Sequence, residues 1–253
     1  MSADEYLQSI LTREAVNSGI FSPVRSVQAQ LEPIIRGWAG SFLVSIHPSG
    51  SFAKGTANHS GTDIDLFISL SQQTRETLKE IYESLFTWMK GKGFIPSRQN
   101  VSINVQASGY SVDLVPGKRQ DVFSGDHSLY RRRADTWTKT NVAKHISYVT
   151  GGGRLLETRV IKLWRNQKHL DFPSFYLEMT VINALSKQLF GTLSGNVWKV
   201  FEHLRDTFPN ARIVDPDNTN NIISDDLSGT ERAKIKTTAE QALKASNWSE
   251  IVI

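Results

Sequence analysis

The 253-residue chain contains no cysteine. Disulfides and thiolate-bound metals are therefore excluded, and the absence fits a cytoplasmic protein. No apolar run reaches the length that crosses a bilayer. The first twenty residues begin acidic and lack the apolar centre of a secretory signal. Internal repeats and low-complexity tails are missing too. Charge of one sign is scarce: 29 basic against 25 acidic residues leave a formal net charge of +4, which permits anionic partners without demanding them. The G-K-[ST] ending of a Walker loop is absent, and neither a Ser/His/Asp triad nor a dinucleotide fingerprint is found. What remains is ordinary globular composition, 39% hydrophobic and 21% charged, in a chain long enough for one domain or two small ones.

Helical spacing of apolar residues predicts helices over 4–15 and 24–38, the second through Val24, Val27, Leu31, Ile34 and Ile35. S-F-L-V-S-I (41–46) and D-I-D-L-F-I-S-L (63–70) read as strands, and 71–90 as a helix stopped by G-K-G-F. V-S-I-N-V-Q (101–106) and Y-S-V-D-L-V (110–115) alternate as a hairpin pair. Beyond residue 125 the pattern turns helical, over 137–150, 154–167, 175–190 and 195–207. A polar loop (215–226) precedes a last helix that reaches about residue 247, with Ser228 or Thr230 as its cap. The expected class is α+β: a small mixed sheet with helices over 1–125, then a helical domain over 126–253, with the active site in the cleft between them.

The stretch G50-S-F-A-K-G-T56 followed by D63-I-D65 carries the chemistry. Residues i and i+2 of a strand share a face, so Asp63 and Asp65 repel unless a cation lies between them. By themselves they describe equally well two solvated acids at a strand start. Asp113, set between Val112 and Leu114 of another strand, favours a site instead. Three carboxylates on neighbouring strands can hold two divalent ions, and an oxygen-only donor set favours Mg2+ or Mn2+. Gly50 and Gly55 allow tight turns whose N–H groups can cradle phosphate, and Ser51 adds a hydroxyl. The combination suits phosphoryl or nucleotidyl transfer, with Asp113 as general base or ligand on the attacking side.

These motifs, G50-S-F-A-K-G-T, D63-I-D65 and V112-D-L, resemble the signature of the DNA polymerase beta-like nucleotidyltransferase superfamily. The resemblance implies that Asp63, Asp65 and Asp113 hold two metal ions and that Gly50 and Ser51 meet the nucleotide phosphates. R159-V-I-K-L-W-R-N-Q-K168, D171-F-P-S-F-Y-L-E and V214-D-P-D-N-T-N-N221 are similar to the branch of 2′-5′ oligoadenylate synthases and bacterial cyclic GMP-AMP synthase-like enzymes. That likeness implies that Lys162 and Ser174 contact the triphosphate, with Tyr176 and the 215–221 loop near the base. Read alone, 159–168 is an amphipathic helix with a solvated basic face, and Ser174 is an ordinary helix cap. The implied activity joins ribonucleoside triphosphates into a cyclic or linear oligonucleotide messenger, in antiviral defence. CCA-adding enzymes share the core, so RNA 3′-end addition stands as an alternative, with protein nucleotidylation and a catalytically inactive nucleotide-binding module behind it.

Lys118, Arg119 and Arg131 to Arg133 form a basic patch, read as a solvated face or as an RNA or product contact. Trp137 beside it is a stacking platform or a core residue entering a helix. Gly151 to Gly153 reads as a helix connection, and His59 as a residue near the active turn. His145 and His169 lack partners at metal-binding spacing.

Overall fold

The computed structural model describes residues 1–19, 21–61 and 63–253. In chain order the elements are helices α1 (Ala3–Arg13) and α2 (Pro23–Ala39), strand β1 (Leu43–Pro48), the short helix α3 (Gly50–Lys54), strand β2 (Ile64–Leu70) and helix α4 (Leu78–Gly91). Strands β3 (Ser97–Arg98), β4 (Ile103–Ala107), β5 (Tyr110–Arg119), β6 (His127–Arg131) and β7 (Thr136–Thr140) follow. Helices α5 (Val142–Gly151), α6 (Leu155–Gln167), α7 (Ser174–Ala184), α8 (Leu193–Asp206) and α9 (Gly229–Ala242) complete the chain. The architecture is the expected α+β. The residues gather into two compact units: Asn17–Lys54 with Thr62–Ile146, and Met1–Val16 with Gly55–Gly61 and Ser147–Ile253.

The first unit is built on a mixed sheet in the order β1-β2-β5-β4-β3, with β6 on β5 and β7 on β6. β2 and β5 run parallel, and the other strand pairs among the described residues are antiparallel. Period-2 alternation sends Ile64, Leu66, Ile68 and Leu70 of β2, with Val112 and Leu114 of β5, into a core shared with α2 and α4. α2 contributes Val24, Val27, Leu31 and Ile35, and α4 contributes Ile81, Tyr82, Leu85 and Met89. Asp65 and Asp113, one step out of phase, face away from that core.

Three segments differ from the sequence reading. α4 starts at Leu78 rather than 71, because Thr77 and Glu80 form a capping box that fixes the first turn. The helix expected over 137–150 is a strand and a helix: T-W-T-K-T, rich in β-branched residues, pairs with β6, and Asn141 Oδ1 then accepts the Lys144 N–H at 3.1 Å to start α5. Trp137 accordingly lies on a strand, more than half exposed. α7 ends at Ala184, short of 190.

The second unit packs α1 against α6 and α8. Leu7, Ile10 and Leu11 enter a core made of α6, α7, α8 and α9, with Trp164, Tyr176, Phe201 and Phe208 among its largest members. Ser228, one of the two caps anticipated, accepts from the Glu231 N–H and starts α9.

Candidate active site

The parallel pairing of β2 and β5 sets Asp65 in register with Asp113. Asp63 immediately precedes β2 and is exposed. Asp113 is partly buried, and one of its oxygens accepts from Asn104 Nδ2 at 2.8 Å. The same amide nitrogen donates to Ser111 Oγ at 2.8 Å, so Asn104 orients the carboxylate from the neighbouring strand β4. Burial pushes the Asp113 carboxyl above its ordinary range, and the charge of Asp63 acts in the same direction. Bonds from Asn104 and Ser102 oppose the rise.

Gly50 has a positive φ of 56°, which favours glycine, and opens α3. A Cβ built there would meet Asp65 Oδ2 at 1.8 Å. The Ser49 N–H donates to the Asp65 carbonyl at 2.8 Å, tying the turn to the strand. The glycine anticipated as a phosphate approach thus also makes room for a candidate catalytic carboxylate. Ser51 follows it in α3, half-buried.

Among the described residues no group of three or more His, Cys, Asp or Glu side chains is gathered closely enough to hold a metal ion. The donor chemistry nevertheless fits a hard divalent cation: carboxylate oxygens, two of them in register, with mutual repulsion registered at Asp113.

The helical unit holds the other candidates. Lys162 is buried and forms an ion pair with the wholly buried Glu178 at 2.6 Å. Thr56 joins them, its Oγ1 accepting from Lys162 Nζ at 2.8 Å and donating to Glu178 at 2.6 Å. Ser174, at the start of α7, is exposed and accepts from Arg165 at 3.0 Å. Tyr176 is fully buried against Phe172 and Phe208, and its hydroxyl has no hydrogen-bond partner among the described residues. Its ring therefore presents no surface to a base in this structure. The 215–221 loop is closed on itself: Asp215, buried, accepts from Asp217 N at 2.9 Å and Asn221 Nδ2 at 3.2 Å.

The segment Gly55–Gly61 is bonded within the helical unit at several points. Asn58 donates to the Arg159 carbonyl at 2.9 Å and accepts from Arg159 Nε at 3.0 Å. The His59 and Ser60 N–H groups reach the Glu14 carbonyl and carboxylate at 3.0 and 2.8 Å. Asn58, Glu14 and Asn104 were not singled out in the sequence. Asn104 alone left a trace there, as a polar residue in the alternation of V-S-I-N-V. Of the basic patch, Arg132 donates to the Gln99 carbonyl at 3.2 Å, Arg119 to Ser69 Oγ at 3.2 Å, and Arg133 is exposed.

No family profile matches the chain. A cyclic AMP-AMP-AMP synthase of Escherichia coli is 24% identical over 214 residues, which are 77% of this chain and 67% of that protein. The solved structure of E. coli CdnC with ATP superposes with a TM-score of 0.76 at 20% identity, covering 95% of this chain and 90% of that one. The CdnE cyclic dinucleotide synthase of Elizabethkingia meningoseptica, solved with GTP and Apcpp, gives 0.73 at 13% identity, covering 97% and 100%. The fold is that of the polymerase beta-like nucleotidyltransferases, and the aspartate pattern resembles theirs. The solved structures that it resembles include a CD-NTase, CdnG of Bradyrhizobium diazoefficiens.

Proposed function

We propose that this protein is a nucleotidyltransferase that joins ribonucleoside triphosphates into a cyclic or linear oligonucleotide messenger, in antiviral defence. The observation that carries the reading is the register of Asp65 with Asp113 on the sheet face turned away from the core, with Gly50 leaving room for the Asp65 carboxylate. The cyclic products named for the relatives support it.

In this reading a ribose hydroxyl of one nucleotide attacks the α-phosphorus of another. The new bond is P–O, the bond to the bridging oxygen breaks, and pyrophosphate leaves. Asp113, oriented by Asn104, takes the hydroxyl proton. Gly50 and Ser51 receive the phosphates, with Ser174 and Lys162 on the triphosphate side. Lys162 reaches a phosphate only by sharing its ammonium with Glu178, because the two form a buried pair. Asp63, Asp65 and Asp113 would hold two Mg2+ or Mn2+ ions, which when bound offset the carboxylates' repulsion and stabilise charge on the transferring phosphate.

The test is incubation with the four ribonucleoside triphosphates and Mg2+ or Mn2+, with products resolved by mass spectrometry, alongside a tube containing tRNA. A short oligonucleotide that disappears in the Asp63→Ala, Asp65→Ala protein and on chelation is the expected result. Asp113→Ala should retain triphosphate binding while losing transfer. Extension of tRNA alone would replace the messenger reading with RNA tailing, and normal turnover by the double variant would remove the aspartates from the chemistry.

A further inference from the structure

The unit built on the sheet carries an exposed aromatic side chain and an aromatic groove, neither used by the proposed reaction. The side chain is Phe123, 95% exposed in the turn between β5 and β6, with Val122 beside it 57% exposed. The turn is fixed from several sides. Asp121 accepts from the N–H groups of Phe123 at 2.7 Å and Ser124 at 2.6 Å, and from Ser124 Oγ at 2.7 Å. Asn141 donates to the Ser124 carbonyl at 2.9 Å and to Asp126 at 2.7 Å, and His127 Nδ1 donates to the Gly125 carbonyl at 2.8 Å. A large apolar side chain held in water on a rigid turn loses little freedom when a partner covers it.

The groove runs along α4 beside Trp38 of α2, has a volume of about 680 Å3 and is open to solvent. Trp38 and Trp88 are its large members, both half-buried, and the exposed Ser84, Thr87 and Gly91 leave the space between. Both indole N–H groups are satisfied within the unit, by Ser84 Oγ at 3.1 Å and the Ile34 carbonyl at 3.0 Å, so the tryptophans offer the groove their rings. Lys92 closes one end. Its ammonium lies 4.5 Å from the centre of the Trp88 ring and is in no ion pair among the described residues. The acids along the groove are already engaged: Glu83 pairs with Arg98 at 2.7 Å, and Glu80 accepts the Thr77 N–H at 2.8 Å, about three helical turns from Lys92.

We propose that the β5–β6 turn of one copy docks in the α4 groove of a second copy, with Phe123 against Trp38 and Trp88 and Asp121 meeting Lys92. The groove has room for a phenylalanine ring with Val122 beside it, and aromatic rings pack well edge to face. The charges match where the rings meet. Bonds from Ser124 and the Phe123 N–H hold the Asp121 carboxyl below its ordinary range, so it is an anion at neutral pH. Its three accepted bonds leave capacity for a fourth, from the Lys92 ammonium. Turn and groove are different surfaces of one chain, so the contact is head-to-tail rather than two-fold.

The test is analytical ultracentrifugation of the full-length protein up to about 300 µM, because a contact made by one turn belongs to the weak, transient class. Wild type should associate reversibly. Phe123→Ser and Thr87→Arg, both at exposed positions, should each remain monomeric with an unchanged melting temperature. Mixed one to one, the two variants should form a dimer and nothing larger, because Phe123 of the Thr87→Arg protein meets the intact groove of the Phe123→Ser protein. Lys92→Glu should weaken the wild-type association by about tenfold. The proposal is overturned by any of four results: a wild type monomeric throughout, which would leave turn and groove to a different protein; association of either single variant as tight as that of wild type; a mixture that stays monomeric; or undiminished association of Lys92→Glu.

Discussion

Burial and the charge of Asp63 both oppose ionisation of Asp113, and Asn104 and Ser102 only partly compensate. A carboxyl whose folded value is raised stabilises the fold fully below its unfolded value of 3.8, and that contribution is lost as pH rises through the raised folded value. The wild-type protein at neutral pH therefore carries a charge that the fold disfavours. In the presence of a chelator, Asp113→Asn should melt higher than wild type at about pH 7.5, by on the order of 2–4 °C. The gap should close as the pH falls to ~3, below the unfolded value of 3.8, where both side chains are neutral. Melting curves at the two pH values check this; a variant less stable at both would show that the carboxylate is a structural asset. The aspartates were legible because two acids at i and i+2 head a hydrophobic strand just after a Gly/Ser turn, and a third stands between apolar residues of a second strand. Asn104 was not, since its value comes from standing across β4 and β5 from Asp113, and strand pairing is not written in either segment alone.

Among the elements, α6 and α7 meet through a charge pair sealed from solvent. Removing one partner of a buried pair leaves the other charge stranded, at a cost of roughly 3–5 kcal/mol. Glu178→Ala and Lys162→Ala should each lower the melting temperature, by on the order of 6–20 °C at 2–4 °C per kcal/mol. A double Lys162→Met, Glu178→Leu protein should recover much of the loss. Thermal denaturation of the three proteins checks this, and additive losses in the double variant would contradict it. Lost activity on replacing Lys162 alone is thus poor evidence for phosphate contact; Ser174→Ala, at an exposed position, is the cleaner probe. Helices with a clean apolar stripe, such as α2, were legible from spacing. β6 and β7 were not: two five-residue strands offer little periodicity, and the apolar residues after Asn141 extended a helical pattern backwards over Trp137.

For the molecule as a whole, the chain passes between its two compact units at 16/17, 54/55, 61/62 and 146/147. The sequence suggested an order of segments; it carried no sign that α1 is a core helix of the helical unit, because an amphipathic stripe does not name its partner. Deleting residues 1–16 removes Leu7, Ile10 and Leu11 from that core. At about 1.5–3 kcal/mol for each side chain, the loss is roughly 5–9 kcal/mol, comparable with the whole stability of a typical domain. The truncated protein should be insoluble, or melt more than about 10 °C lower; circular dichroism of the purified fragment checks this, and a near-native melt would show α1 to be dispensable. Synthesis on the ribosome adds a timing problem. α1 leaves the exit tunnel before α6 and α8, while the surfaces that will cover it, around Val160 and Val200, are still unmade. At roughly 5–20 residues per second the wait is on the order of 10–40 s. The nascent chain therefore carries a helix with an uncovered apolar stripe until α8 is made, and the yield of native protein rests on whatever shields that stripe in the meantime.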